Sequence, residues 1–239
     1  MSSKVNVSGR KIKSAILGIY LRIRRIFNRI RLYRKPKVFV IGLNKTGTTT
    51  MAKTLRDFGF VVASEKDAKP LFNDWVKGDF DPIIKFCKSA EAFQDSPFSF
   101  PGTYIALDKA FPGSKFILTI RDDEDQWYRS ITRFHSKLWG DGDGVPPSKL
   151  QLQLATSSYR SRPWDVNQAL FKTPENDPYN EEIMKKFYVD YNKSVVKYFE
   201  ERSDDLLIIN VGKEDSYRRL VNFLKVNSSF NEFPWENKT

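Results

Sequence analysis

The stretch Lys37–Gly59, KVFVIGLNKTGTTTMAKTLRDFG, indicates the fold more clearly than any other part of the chain. Its apolar run, residues 38–41, has the continuous β-branched and aromatic character of a buried parallel strand. A glycine-bounded turn at residues 42–47, here named the glycine loop, follows, and a pattern of helical period continues to Phe58. This order of strand, loop and helix predicts backbone N–H groups and the positive end of a helix dipole directed at a phosphate.

The glycine loop differs from the loop of nucleotide hydrolases. Their loops read G-x-x-x-x-G-K-[ST], with a lysine after the second glycine and a hydroxyl that ligates magnesium. Here Gly42 and Gly47 keep that glycine spacing, but threonines follow the second glycine, and the lysine lies inside the loop as Lys45. Magnesium-dependent ATP chemistry, as in a nucleotide kinase or NTPase, is therefore the weaker alternative. The pattern favours a metal-free transfer from a donor that is linked to a phosphate.

The segment 44–50, NKTGTTT, resembles the 5′-phosphosulfate loop of sulfotransferases that use 3′-phosphoadenosine 5′-phosphosulfate (PAPS). The resemblance implies that PAPS is the co-substrate and that no metal is needed. It implies donor binding by Asn44, Lys45, Thr46, Gly47, Thr48, Thr49 and Thr50. It also implies a catalytic role for Lys45, whose ammonium would stabilise charge on the bridging oxygen of the leaving phosphate.

A second segment, FPGSKFILTIRD at residues 111–122, predicts an apolar strand with Arg121 at its carboxyl end. Ligands of open α/β sheets bind beyond the carboxyl ends of the strands, so Arg121 lies where a binding residue is expected. The segment resembles the family's 3′-phosphate motif, in which an arginine is followed by a serine on the next helix. Ser130 fills the serine position, one residue later than is usual in the family. The resemblance implies that both residues hold the 3′-phosphate.

Transfer to an alcohol also needs a group that accepts the acceptor's proton. We predict Asp95 for this role, because it follows an apolar segment and resembles an Asp-x-Pro that a related branch of the family carries at this point. His135 is the alternative base. It is the chain's single histidine, although it follows the 3′-phosphate arginine where the histidine of cytosolic members precedes it. The partner of the adenine ring is left open between Trp127, Tyr128 and later aromatic residues.

Together these patterns predict a three-layer α/β fold, with a central parallel sheet, a P-loop-like strand–loop–helix and helices on both faces. Residues 37–239 are expected to form one domain of this kind. Residues 136–180 are rich in Gly, Pro, Asp, Ser and aromatic residues, which is typical of an irregular segment over a site, and we predict a substrate lid there. Arg160 and Arg162 within it are candidates to meet an acidic or sugar acceptor. The chain's one cysteine excludes an intramolecular disulfide.

The positive charge of the chain is concentrated in its N-terminal extension. Residues 1–37 hold twelve of the 40 Lys and Arg residues and no Asp or Glu, which leaves 28 basic against 29 acidic residues in the remainder. The domain itself is therefore nearly neutral, and no nucleic-acid partner is expected.

We predict a basic amphipathic helix in the extension, residues 1–36. Isoleucines recur there at three- and four-residue spacing, arginines fill the other positions, and Pro36 ends the pattern. Residues 11–35 are thus expected to contact an anionic membrane surface, and the protein to be cytoplasmic and peripheral at that surface. Packing of the helix on the domain or on a partner is the alternative, followed by binding of the extension to an anionic polymer or a nucleic acid.

The predicted activity is transfer of a sulfuryl group from PAPS to a hydroxyl or amine, with release of 3′-phosphoadenosine 5′-phosphate (PAP). The acceptor is a small molecule, a glycan or a lipid. A catalytically inactive domain, tethered to a membrane or a partner by its basic helix, is the non-enzymatic alternative.

Overall fold

A computed structural model describes residues 36–234, so the predicted basic helix at residues 11–35 lies outside the described residues. Four strands form one parallel sheet in the order β2-β1-β3-β4. They are β1 Val38–Val40, β2 Ala92–Phe93, β3 Lys115–Thr119 and β4 Leu206–Ile209. The first strand pairs in register with both neighbours, since Phe39 lies opposite Phe93 on one side and Phe116 on the other.

The helices of the described part surround this sheet. In chain order they are α1 Thr48–Asp57, α2 Glu65–Ala68, α3 Phe72–Val76, α4 Asp81–Phe86, α5 Thr103–Ala110, α6 Glu124–Trp139, α7 Lys149–Leu154, α8 Arg162–Phe171, α9 Glu181–Tyr198 and α10 Ser216–Leu224. Short 3₁₀ turns lie at Lys69–Leu71, Cys87–Ser89 and Glu200–Asp205. No helix within residues 36–234 combines the length and the apolar character that a membrane crossing requires.

Alternation along β1 divides the core into two layers. Phe39 is completely buried in a cluster that includes Trp127 of α6 and Tyr188 of α9. Val40 points to the opposite face and packs in a cluster with Leu55 of α1 and with α10. Because successive side chains of a strand alternate between its faces, a strand buried on both faces needs helices on both. The predicted three-layer α/β fold is confirmed.

The loops that follow the strands meet at the carboxyl edge of the sheet. The closest approach is between Gly42 and the end of β3, where a Cβ built on Gly42 would lie 2.0 Å from Thr119 Oγ1 and 2.3 Å from the Thr119 carbonyl oxygen. No side chain fits at that distance, so Gly42 lets the glycine loop cross directly over the neighbouring strand. This crossing sets the position of the loop relative to Arg121.

Replacing Gly42 by alanine is expected to destabilise the domain by about 3 kcal/mol, because the new methyl group would overlap backbone atoms that have no room to move. Urea unfolding followed by circular dichroism would measure this. Gly212→Ala is the matched control, because its added Cβ would meet only Asn210 Oδ1 at 3.4 Å, an ordinary contact. Equal effects of the two substitutions would contradict the close approach at Gly42.

Candidate active site

Helix α1 begins directly after the glycine loop, and no side chain of the described residues caps its N-terminus. Gly47 precedes the helix with a left-handed φ of 102°, a conformation that glycine adopts without strain. The first N–H groups of a helix have no partner inside the helix, and the positive end of the dipole lies there. This uncapped N-terminus therefore has the partial positive charge that favours an anion. Of the threonines on its first turn, Thr49 is exposed, whereas Thr48 and Thr50 are buried.

Thr46 ties the glycine loop to the sheet. Its side chain is fully buried, and its hydroxyl donates to the Leu43 carbonyl oxygen at 2.6 Å. The same oxygen lies 2.6 Å from Thr119 Oγ1 at the end of β3. Since the hydroxyl is engaged inside the protein, its role in the structure is to fix the loop, and the Thr46 N–H is also engaged, with the Leu43 carbonyl oxygen at 3.3 Å.

Arg121 lies two residues beyond β3 and is bound to the glycine loop. Its Nε–H donates to the Lys45 carbonyl oxygen at 2.6 Å, and its backbone N–H donates to the Tyr188 hydroxyl at 2.9 Å. No described residue accepts a hydrogen bond from its two terminal nitrogens. The guanidinium is therefore held by one edge, and its terminal N–H groups remain available for a bidentate contact with an anion.

Helix α6 presents Trp127 and Ser130 on one face toward the loop. The Trp127 indole N–H donates to the Asn44 carbonyl oxygen at 3.0 Å, and the ring stacks on Tyr188 with centroids 4.8 Å apart. Trp127 is completely buried, so it supports the loop and is not free to stack on an adenine ring. Ser130 Oγ is buried without a hydrogen-bond partner among the described residues. The helix that carries Ser130 is capped at its start by Asp123, whose Oδ1 accepts from the Gln126 N–H at 2.6 Å.

Lys45 extends from the glycine loop over α6. Its backbone has a left-handed φ of 70°, which is uncommon for a residue with a side chain and is found at functional sites. The ammonium lies 3.7 Å from the centroid of Phe134, a cation–π contact. Burial lowers the pKa of Lys45, and the nearby positive charges of Arg121 and Lys137 lower it further. The loop therefore holds a cation in a partly dehydrated position.

A cavity of about 480 Å³ adjoins the loop. It is lined by the glycine loop, by the segment after β2, by α6 and by the predicted lid at residues 136–180, which here contains α7 and α8. Lining residues that bear on the chemistry are Asn44, Asp95, Phe134, His135, Arg162 and Tyr179. A cavity of this size beside a phosphate-type loop is suited to the second substrate of a group transfer.

Asp95 lies at this cavity, two residues after β2. Its backbone is left-handed, with φ 64°, and its Oδ1 accepts from the Ser96 N–H at 2.7 Å. Burial raises the pKa of the Asp95 carboxyl, and this effect outweighs the opposing influence of the Ser96 N–H, Arg162, Lys69 and the Asn44 side chain. The contact with Asn44 connects the carboxylate directly to the glycine loop. A carboxylate with a raised pKa is a stronger proton acceptor than an exposed one.

His135 also lines the cavity, but it is poorly suited as a base. Its Nδ1 lies 2.8 Å from the Tyr179 hydroxyl, and its ring packs 4.4 Å from the centroid of Trp139. Burial, with a smaller contribution from Lys45, lowers the pKa of His135 to about 3. The imidazole is therefore neutral and weakly basic at physiological pH. Between the two candidates, the environment of Asp95 is the one that favours proton acceptance.

Comparison with known families agrees with this geometry. A family model described as a sulfotransferase domain matches residues 37–239. The chain belongs to the sulfotransferase family. No curated protein matches the chain. Membership makes sulfuryl transfer the general activity of the fold, and the predicted family is confirmed.

Within this sulfotransferase, the structure brings together residues that lie far apart in the sequence. Arg121 is bonded to the Lys45 carbonyl oxygen in the glycine loop, and Asp95 contacts the Asn44 side chain at the cavity. Sequence reasoning did not find Phe134, which supports the Lys45 ammonium, or Tyr188, which fixes the backbone of Arg121. Their spacing on α6 and α9 is that of ordinary core residues, so only their contacts reveal what they do.

Arg160 and Arg162, both predicted to meet the acceptor, lie in different environments. Arg162 lines the cavity and is buried, whereas Arg160 is exposed on the surface.

Lys213 lies near the carboxyl edge of the sheet, where its ammonium pairs with Asp122 Oδ1 at 2.8 Å, next to Arg121 in the sequence. Among residues 36–234, no group of three or more His, Cys, Asp or Glu side chains is arranged to hold a metal ion.

Proposed function

We propose that this sulfotransferase moves a sulfuryl group from PAPS to a hydroxyl or amine of an acceptor bound in the 480 Å³ cavity, and releases PAP. The family generally uses PAPS as co-substrate. The observation that carries the proposal is the juxtaposition of a cationic, uncapped loop with a cavity that contains a carboxylate of raised pKa. A donor and an acceptor bound on the two sides would meet at Asn44 and Lys45.

The residues at the loop fit the two anionic ends of PAPS. The α1 N-terminus and Lys45 match a 5′-phosphosulfate, since both favour negative charge. The free terminal nitrogens of Arg121 and the unpartnered Ser130 Oγ match a 3′-phosphate, which accepts several hydrogen bonds. Bound PAPS would supply a sulfuryl group that is already activated by a phosphate leaving group.

The protein's own groups then have separate tasks. Asp95 takes the proton from the acceptor hydroxyl as the new oxygen–sulfur bond forms. Lys45 and the loop N–H groups stabilise the negative charge that develops on the phosphate oxygen as its bond to sulfur breaks. The buried cavity excludes water and holds the acceptor in line with the donor, which favours transfer over hydrolysis.

Calorimetric titration of the full chain with PAP, and separately with ATP and magnesium, tests the donor assignment. We expect PAP to bind at micromolar concentration without a metal. Tight binding of Mg-ATP with no response to PAP would overturn the proposal in favour of the kinase or NTPase alternative. If neither ligand binds, the proposal is overturned in favour of the tethered, inactive domain.

The pH dependence of the reaction tests Asp95. Because the pKa of Asp95 is raised by burial, the acid limb of kcat/KM is expected above the pH at which an exposed aspartate titrates, with activity rising as the carboxylate ionises. Asp95→Asn is expected to lower kcat about 100-fold and to abolish that limb. Initial rates between pH 4 and pH 9, with any hydroxyl acceptor that proves active, would measure both.

The thermal stability of Asp95→Asn shows whether a loss of activity comes from a loss of folding. Asparagine tolerates the left-handed backbone and still accepts the Ser96 N–H bond. A carboxyl with a raised pKa contributes stability at low pH that is lost as the pH rises through its folded-state pKa. Asp95→Asn is therefore expected to melt at pH 8 no earlier than the wild type. An unchanged acid limb in the variant would contradict the role of Asp95.

A further inference from the structure

One wall of the cavity contains buried polar atoms that the protein leaves without partners. Asn44 Oδ1, Ser99 Oγ and Arg162 Nε are all buried, belong to residues that line the cavity, and have no hydrogen-bond partner among the described residues. Buried polar groups in folded proteins are almost always hydrogen-bonded, because an unmade bond costs about 1–3 kcal/mol. We name these three residues the polar wall. Its open bonds are those that a ligand would complete.

Arg162 is the charged member of the polar wall. The residue is 7% exposed and begins α8, directly after Ser161 with its left-handed φ of 72°. Its Nη2 donates to Ser96 Oγ at 3.1 Å, and its guanidinium lies 5.6 Å from the centroid of Phe72. No ion pair among the described residues includes Arg162. The Asp95 and Asp165 carboxylates attract the Arg162 charge without forming an ion pair with it, and the open N–H favours a further, anionic acceptor.

The acidic residues of the cavity are better satisfied than Arg162. Glu65 accepts a hydrogen bond from the Gln94 amide and lies at the exposed rim. Asp95 accepts from the Ser96 N–H and is also bonded by the Asn44 side chain. The nearby Lys69 adds a second cation, whose single hydrogen bond to the described residues goes to Ser157 Oγ at 3.3 Å. The unused charged donors at this wall therefore belong to Arg162 and Lys69, whereas Asn44 Oδ1 is an acceptor that a ligand hydroxyl or N–H would fill.

Another part of the cavity lining is aromatic. Phe134, His135 and Trp139 of α6 form it together with Tyr179, and burial keeps the imidazole neutral. Such a surface binds a flat or apolar body through its area, while a few polar groups set its orientation. A volume of about 480 Å³ limits the ligand to the size of a small molecule.

We propose that the acceptor is a small amphipathic molecule whose apolar or aromatic body packs on α6 and whose carboxylate, or a comparable anionic oxygen group, binds Arg162. The inference rests on the proposed function, because it assigns the cavity to the acceptor. Arg162 and Asp95 both bond to Ser96, at its Oγ and its N–H, so an acceptor held by Arg162 would lie beside Asp95. Arg162 is thus a specificity-determining residue.

Three phenols of matched shape test this inference: 4-hydroxyphenylacetate, 4-ethylphenol and tyramine, which carry an anionic, a neutral and a cationic side arm. Each is titrated into the full chain, with and without saturating PAP, and followed by calorimetry. We expect the carboxylate to bind about tenfold or more tightly than 4-ethylphenol, and tyramine most weakly. Arg162→Leu is expected to abolish the preference and Arg162→Lys to keep part of it. The control Arg160→Leu, an exposed arginine two residues away, should leave it unchanged.

The outcomes separate the two proposals. Failure of PAP to bind counts against the proposed function, whatever the phenols do. If PAP binds but the three phenols bind equally, or tyramine binds most tightly, the acceptor class inferred here is overturned and the donor assignment stands. A carboxylate preference that survives Arg162→Leu overturns the role of Arg162. Binding of none of the phenols in the presence of PAP overturns the small amphipathic acceptor.

Discussion

Replacing Lys45 by methionine is expected to lower kcat about 100- to 1000-fold, which is the range seen when one group that stabilises developing charge is removed from a buried site. Methionine keeps the apolar stem and can pack its sulfur on Phe134, so the substitution removes mainly the charge. Because the glycine loop N–H groups and Arg121 remain, the affinity for PAP should fall much less than kcat. Single-turnover sulfuryl transfer together with PAP calorimetry would separate the two quantities.

The pH profile gives the Lys45 prediction a second, independent measurement. Since the pKa of Lys45 is lowered by burial and by its cationic neighbours, its ammonium is lost at a lower pH than that of an ordinary lysine. The kcat/KM of the wild type should fall as the pH rises through that pKa, and Lys45→Met should lack this alkaline limb. Lys137→Met removes an equal charge from the neighbouring helix and is expected to change kcat by no more than a factor of about three. Equal losses in both variants would contradict a direct role for Lys45.

The sequence predicted those parts of the site that depend on neighbouring residues. The glycine loop could be recognised because strand, glycines and helix follow one another within 23 residues, 37–59. Arg121 could be placed because the residue after a parallel strand lies at the carboxyl edge of the sheet, wherever the strand is in the order. Both inferences need only local pattern and a general rule of sheet geometry. The fold class followed for the same reason.

Contacts between distant segments were beyond that reasoning. The Arg121 bond to the Lys45 carbonyl joins residues 76 positions apart, and the Arg162 bond to Ser96 joins residues 66 apart. Such pairs depend on how layers pack, which no local pattern encodes. Thr46 shows the consequence, because the residue was predicted to bind the donor and its hydroxyl is bonded to Leu43 and Thr119. A motif therefore identified the loop correctly while leaving open which atoms of the loop face the ligand.

Replacing Arg121 by alanine is expected to weaken PAP binding about 100- to 1000-fold, as when one partner of a partly buried, hydrogen-bonded charge pair is truncated. The backbone bond to Tyr188 does not involve the side chain and should keep the segment in place. Arg218→Ala, which removes an exposed arginine of α10, is the matched control and should leave PAP affinity unchanged. Calorimetry of both variants would measure the difference, with thermal melting to verify that each is folded.

The side chain of Arg121 has two separable functions, and a pair of ligands distinguishes them. It binds the glycine loop through the Lys45 carbonyl, and its terminal nitrogens are free for a 3′-phosphate. AMP lacks that phosphate, so the wild type should bind PAP far more tightly than AMP, and Arg121→Ala should bind the two nearly alike. If Arg121→Ala instead weakens PAP and AMP by the same factor, Arg121 acts only by holding the loop. In that case the 3′-phosphate would have to be recognised elsewhere, with Lys213 at the same edge as the next cation to test.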